Sequence, residues 1–131
     1  MTTTQVTIPA DPDTVAVASL DGEGWVPYDL GNDTLSGEPN TRMRLLRTAG
    51  VKTAYKAVAF FSSEPSTFKW EFANDEAFVL IEGHLAITLD TGERFEMSAG
   101  DAISIPAGHT GVCEVYEPSR KFTVVTSGLA S

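Results

Sequence analysis

The chain has 131 residues, 42% of them hydrophobic, and 18 acidic against 9 basic side chains leave a net charge of −9. That length holds one domain with a real core and has no room for a second. A surface so acidic repels phosphate backbones and anionic membranes, which argues against nucleic-acid and membrane-surface roles.

Met1-Thr-Thr-Thr-Gln-Val-Thr-Ile8 has neither a basic n-region nor an apolar h-region, and no run in the chain approaches a membrane span. The expectation is therefore a cytoplasmic protein. Residues 1–12, Thr-rich and ending in Pro9 and Pro12, read as an extended arm that orders by pairing with a sheet edge or a second subunit. Residues 13–20 alternate loosely, as a short strand would. Residues 21–40 are rich in Gly, Asp, Asn and Pro around Trp25 and Tyr28, and read as an irregular segment with short strands. The division expected is an arm and irregular segment over 1–40, then a barrel over 41–131.

From Thr41 the texture turns to short strands. Arg42–Arg47 is one, and Ala54–Phe61 is a second, stopped by Ser62-Ser-Glu-Pro65. Phe68-Lys-Trp-Glu-Phe72 alternates cleanly, with Phe68, Trp70 and Phe72 on one face. Ala77–Glu82 ends at a turn on Gly83, and Leu85–Leu89 follows. Asp90-Thr-Gly92 is a hairpin turn into Arg94–Met97. Ala102–Ile105, Gly111–Tyr116 and Phe122–Thr126 complete the set. With no helix pattern of any length, the spacing of strands and turns predicts an all-β sandwich or barrel.

The stretch Glu76-Ala-Phe-Val-Leu-Ile-Glu-Gly83 opens an apolar run with a carboxylate. Such a group must be paired, solvated in a pocket or protonated. Glu76 is thus either the working group of a cavity or a tied-down structural acid.

Two spacings carry a resemblance. Glu76 and Gly83 form E-x6-G, and Gly100, Pro106 and Gly108 form G-x5-P-x-G. Both are halves of the paired motifs of the cupins, which the chain resembles. Glu71 to Lys121 further resembles the (S)-ureidoglycine aminohydrolase-type subgroup, in its Gly-Asp, Ile-Pro-Ala-Gly and Glu-Pro-Ser-Arg-Lys stretches. The resemblance implies a jelly-roll barrel, the double-stranded β-helix, with the two motifs facing a pocket. It also implies a metal held by histidines. Here Trp70 and Phe72 stand at the places of the two early histidines, and Gly111 stands for the late one. Only His84 and His109 are present, too few for a three-histidine site in one chain. No cofactor is therefore expected. A divalent metal on Glu76 and His109 is the runner-up.

Without a metal, Trp70, Phe72 and Phe78 would line the pocket around Glu76, and Gly111 would leave space where an imidazole otherwise stands. One desolvated carboxyl between aromatic walls suits acid–base work on a small organic molecule. The alternative is that the rings only fill a core and Glu76 bonds to Arg42, Arg44 or Tyr55. Cys113 shares strand parity with Gly111. It is either a pocket residue or a small buried thiol. Arg42 and Arg44 would meet an anionic substrate if one face turns inward, or pair with surface acids if it does not. Arg120-Lys121 reads as a structural or interface pair, with Lys121 in the pocket as a lesser reading.

The function expected is a metal-independent isomerase, cyclase, lyase or dehydratase built on Glu76. A metal-dependent cupin with unusual ligands and a non-catalytic ligand-binding cupin are the alternatives. Open sheet edges and the arm predict a homodimer.

Overall fold

The computed structural model describes residues 13–50 and 56–126. The chain enters through an irregular stretch in which only β1 (Val26–Pro27), a single 3-10 turn and β2 (Thr34–Gly37) are regular. The strands β3 (Arg42–Ala49), β4 (Lys56–Ser63), β5 (Ser66–Phe72), β6 (Asp75–Leu89), β7 (Arg94–Ser98), β8 (Ala102–Ile105) and β9 (His109–Thr126) follow. No helix among the described residues is long and apolar enough to cross a membrane.

All pairings are antiparallel, and the sheet curls because two strands serve both of its halves. The first half of β9 lies between β5 and the second half of β6, with Trp70 opposite Gly111 and Leu89 opposite Gly111 on the other side. The second half of β9 lies between β4 and the first half of β6, with Lys121 facing Phe61 on one side and Leu80 on the other. The outer strands attach as β2 on β5, β1 and β3 beyond β4, and β7 and β8 on β6. The result is an all-β cupin-type jelly roll whose two facing halves share one core.

The long strands differ from the short pieces their sequences predict. Gly83 reads as a turn, yet β6 runs through it with irregular register between Leu80 and Leu85. The inward parity changes there, from Glu76, Phe78 and Leu80 to Leu85, Ile87 and Leu89. β9 likewise runs through Glu117-Pro118-Ser119, where the ladder with β6 is also irregular and tolerates a proline that has no N–H to give. The two bends meet. A Cβ on Gly83, at φ +101°, would stand 2.6 Å from Pro118 O and closer still to Ser119 Oγ. Only glycine fits that approach.

Residues 13–20 form no strand, and Val15 and Val17 are exposed there. The expected arm over residues 1–12 and the side chain of Tyr55 lie outside the described residues. The buried cluster is built from Phe68, Phe72, Phe78, Leu80, Leu85 and Ile87, among others, with Trp70 and Cys113 packed against it. This cluster also walls the site.

Candidate functional site in the barrel

Inward alternation brings the aromatic rings together. β5 contributes Phe68, Trp70 and Phe72, β4 contributes Phe61, and β6 contributes Phe78, around one recess. Trp70 packs edge-on against Phe61 and Phe68, with centroids 5.7 and 6.4 Å apart, and Tyr28 tilts against it from the irregular segment at 5.7 Å. The space left is small, about 30 Å³ for the centre of a water molecule. That is room for roughly two waters.

Gly111 lines this recess but opens no space in it. A Cβ there would sit 3.3 Å from both Phe72 Cε2 and Ile87 Cγ2. The expected gap is corrected by Phe72, whose ring occupies it. Cys113, two residues on, does reach the recess wall. Burial pushes its thiol up to about 11, so it stands protonated at neutral pH and is a poor nucleophile.

Lys121 lines the recess, and Glu76, which is not among the lining residues, pairs with Lys121. The Glu76 carboxylate is 7% exposed and the Lys121 side chain 16%. Thr123 Oγ1 donates to Glu76 Oε2 at 2.7 Å, and Lys121 Nζ lies 3.5 Å from the same oxygen. The register explains the reach. Glu76 pairs with Val125 and Lys121 with Leu80, so the two side chains meet along β9 on either side of Thr123. Its ammonium lies 4.0 Å from the Phe78 ring centre and 5.1 Å from that of Phe61. Aromatic faces stabilise a desolvated cation there. Sequence reasoning ranked Lys121 low, although the signal was present: Gly111, Cys113 and Lys121 share one parity, and the bend in β9 preserves it.

Arg120 closes the mouth. It donates to Glu82 through Nε at 2.9 Å and Nη2 at 2.6 Å, and through Nη1 to Asp21 Oδ1 at 2.9 Å and Leu20 O at 3.1 Å. These bonds hold the Glu82 carboxyl below its ordinary range and raise the guanidinium. They also tie residues 20–21 across the rim, where Leu20, Trp25 and Arg42 border a shallow outer recess.

Arg42 and Arg44 lie outside the barrel. Thr41 and Leu45 are the buried positions of this stretch, which turns the intervening arginines outward. Arg42 donates to Trp25 O at 3.3 Å and Arg44 to Glu23 O at 2.9 Å. They fasten the entering segment and do not reach Glu76.

The cupin fold implies a metal, and the donors here do not fit one. Among the described residues, no three His, Cys, Asp or Glu side chains converge. His109 begins β9, opposite Phe72, while Glu76 pairs with Val125 near its other end. His109 Nδ1 pairs instead with Asp90 Oδ1 at 2.7 Å, which lowers the Asp90 carboxyl. His84 pairs with Glu96 at 2.6 Å on the outer surface, and holds that carboxyl low together with Arg94. A cation would meet Lys121 already standing at Glu76.

The model of the EutQ-like cupin domain matches residues 51–122, more than half of the chain. The chain belongs to the EutQ-like cupins. No functionally curated protein matches it. Among solved structures, EutQ of Salmonella typhimurium LT2, assigned to ethanolamine utilization, is 24% identical with a TM-score of 0.58. That alignment covers 67% of this chain and 70% of that one. The EutQ protein of Clostridium difficile is 23% identical, covers 78% and 77%, and scores 0.56. KdgF from a Halomonas species is 16% identical, covers 77% and 93%, and scores 0.54. At these identities the neighbours establish the cupin fold.

Proposed function

We propose that this EutQ-like cupin binds a small organic molecule in the barrel and moves a proton on it, with Glu76 as acid–base group and Lys121 as its partner. The observation that carries the reading is that Lys121, which lines an aromatic recess, pairs with the buried Glu76 carboxylate at 3.5 Å. Buried charges are costly unless they are used or strongly compensated. The reaction class that fits is isomerase, cyclase, lyase or dehydratase chemistry, in which proton transfer is the step to be catalysed. No metal enters this reading. The likeness of the Ile105–Gly108 and Glu117–Lys121 stretches to ureidoglycine aminohydrolase-type cupins supports the fold and a small organic substrate. It is not carried to that reaction.

A second reading, a ligand-binding cupin without catalysis, is favoured by one observation. Phe68, Phe72 and Phe78 belong to the buried core as much as to the site. A thermal-shift screen of small organic molecules against the full chain, and against Glu76→Gln and Lys121→Met, separates the two. Conversion of a stabilising compound, lost in both variants, supports catalysis. Stabilisation with the compound recovered unchanged leaves binding alone, and a flat screen overturns both.

We also propose a homodimer. Among the described residues, β1, β2, β7 and β8 each pair on one side only, and open edges call for cover. Light scattering that shows only the 14.0 kDa chain at micromolar concentration would count against it.

A further inference from the structure

Resting on the acid–base reading above, we infer that Lys121 is a nucleophile that forms an imine with a small aldehyde or ketone held in the barrel. Four groups with nucleophilic atoms line the recess: Ser63, Cys113, Ser119 and Lys121. The Cys113 thiol is kept protonated by burial, and the Ser119 hydroxyl is spent donating to Glu117 O at 2.8 Å. A serine hydroxyl attacks only with a base beside it, and none of the described hydrogen bonds joins Ser63 to one. Lys121 has a carboxylate at its amine and lines an apolar recess, the arrangement in which lysine attacks carbonyl carbon. Lys56 and Lys69 are exposed on the outside of the sheet.

Attack needs the neutral amine, and the acceptor for its proton is in place. Glu76 Oε2 is 3.5 Å from Nζ, and Thr123 Oγ1 pins that oxygen at 2.7 Å. The amine nitrogen then bonds to the carbonyl carbon. The carbonyl oxygen takes up two protons, the one Glu76 took from the ammonium and a second that leaves the same nitrogen once it is bonded to carbon, and departs as water. The balance is one ammonium and one carbonyl giving one protonated imine and one water, with the Glu76 carboxylate restored. No oxidant or reductant is required.

The positive charge stays where it began, beside the faces of Phe78 and Phe61 at 4.0 and 5.1 Å. The same rings that hold the ammonium therefore hold the iminium, and the charge needs no new stabilisation as the bond forms. The space of about 30 Å³ restricts the partner to a carbonyl compound of roughly two or three carbons. A protonated imine draws electrons from its neighbouring bonds, which makes the adjacent C–H acidic. That is the proton the isomerase and lyase chemistry proposed above would move.

The test is reductive trapping on the full chain. Acetaldehyde, glyoxylate and pyruvate are each titrated in the presence of cyanoborohydride, and the digested protein is mapped by mass spectrometry. The expected result is a saturable adduct on Lys121, formed about 100-fold faster than on Lys56 or Lys69 and slowed by a similar factor in Glu76→Gln. Wild-type mapping alone decides the point, so poor folding of the variant leaves the test intact. Equal labelling of Lys121 and the outer lysines, or none on Lys121, overturns the imine. A probe that stabilises the protein without being trapped sinks the imine and spares the binding reading. Failure to stabilise or trap with any carbonyl or other small molecule sinks both.

Discussion

Lys121 Nζ lies 3.5 Å from Glu76 Oε2 and 4.0 Å from the centre of the Phe78 ring, so one ammonium serves a carboxylate and an aromatic face together. Removing the cation leaves a buried carboxylate with Thr123 as its one remaining donor of those described at that oxygen. Lys121→Met is expected to destabilise the fold by about 2–3 kcal/mol. The double variant Glu76→Gln/Lys121→Met should recover most of that loss, because the uncompensated charge is gone. Urea midpoints for the four proteins of the cycle measure the coupling; strict additivity would show that the pair is not coupled.

Cys113 should behave as a sheltered thiol. With its pKa pushed from 9.0 to about 11 by burial, its thiolate population at pH 8 is about 100-fold below that of a free cysteine. Labelling by a disulfide reagent should be slower by at least that factor and should rise with pH into the alkaline range. Denaturant should abolish the protection. Labelling at the free-thiol rate in the folded protein would contradict this placement.

Gly83→Ala tests the meeting of the two bends. The new methyl would approach Pro118 O at 2.6 Å on a backbone at φ +101°. Strain and contact together are expected to cost about 3 kcal/mol or more. Ser119→Ala in the same chain should not rescue it, since the carbonyl remains. A calorimetric melting temperature close to that of the parent would refute this account of the bend.

The Arg120–Glu82 link sets a pH signature. A carboxyl lowered in the folded state stabilises the fold above its unfolded value and loses that contribution as pH falls through its folded value. Glu82 is lowered by Arg120, from an ordinary value of 4.5. Its share of stability should therefore be whole at neutral pH and vanish below the ordinary carboxylate range. For so exposed a pair it should amount to less than about 1 kcal/mol. Glu82→Gln should match the parent in acid and trail it at neutral pH. In the same variant, proteolysis between Leu20 and Trp25 should quicken as Arg120 loses its firmest hold on the rim.

Much of this fold was legible because alternation and turns are local. Phe68, Trp70 and Phe72 share a face in the sequence and in the barrel, and Asp90-Thr-Gly92 joins β6 to β7 where the pattern places a hairpin. The continuity of β6 and β9 was not legible. A glycine with positive φ and a proline both read as strand ends, and only the contact between Gly83 and Pro118, 35 residues apart, makes them bends. The site divides in the same way. The rings of the recess, Trp70, Phe72 and Phe78, follow from spacing. The outward turn of Arg42 and Arg44 depends on register, which a slip of one residue reverses. The ring of Phe72 over Gly111 depends on how two strands pair, which no single stretch encodes.

β9 supplies the middle of both halves of the sheet, and it is the last of the described strands. Until it leaves the ribosome, β4 and β5 lack their shared neighbour and β6 lacks its longest one. Folding during synthesis therefore cannot go far: the nascent chain carries unsatisfied edges until β9 arrives. A truncation that removes β9 takes the partner from every central strand at once, so this barrel forms as a whole or not at all.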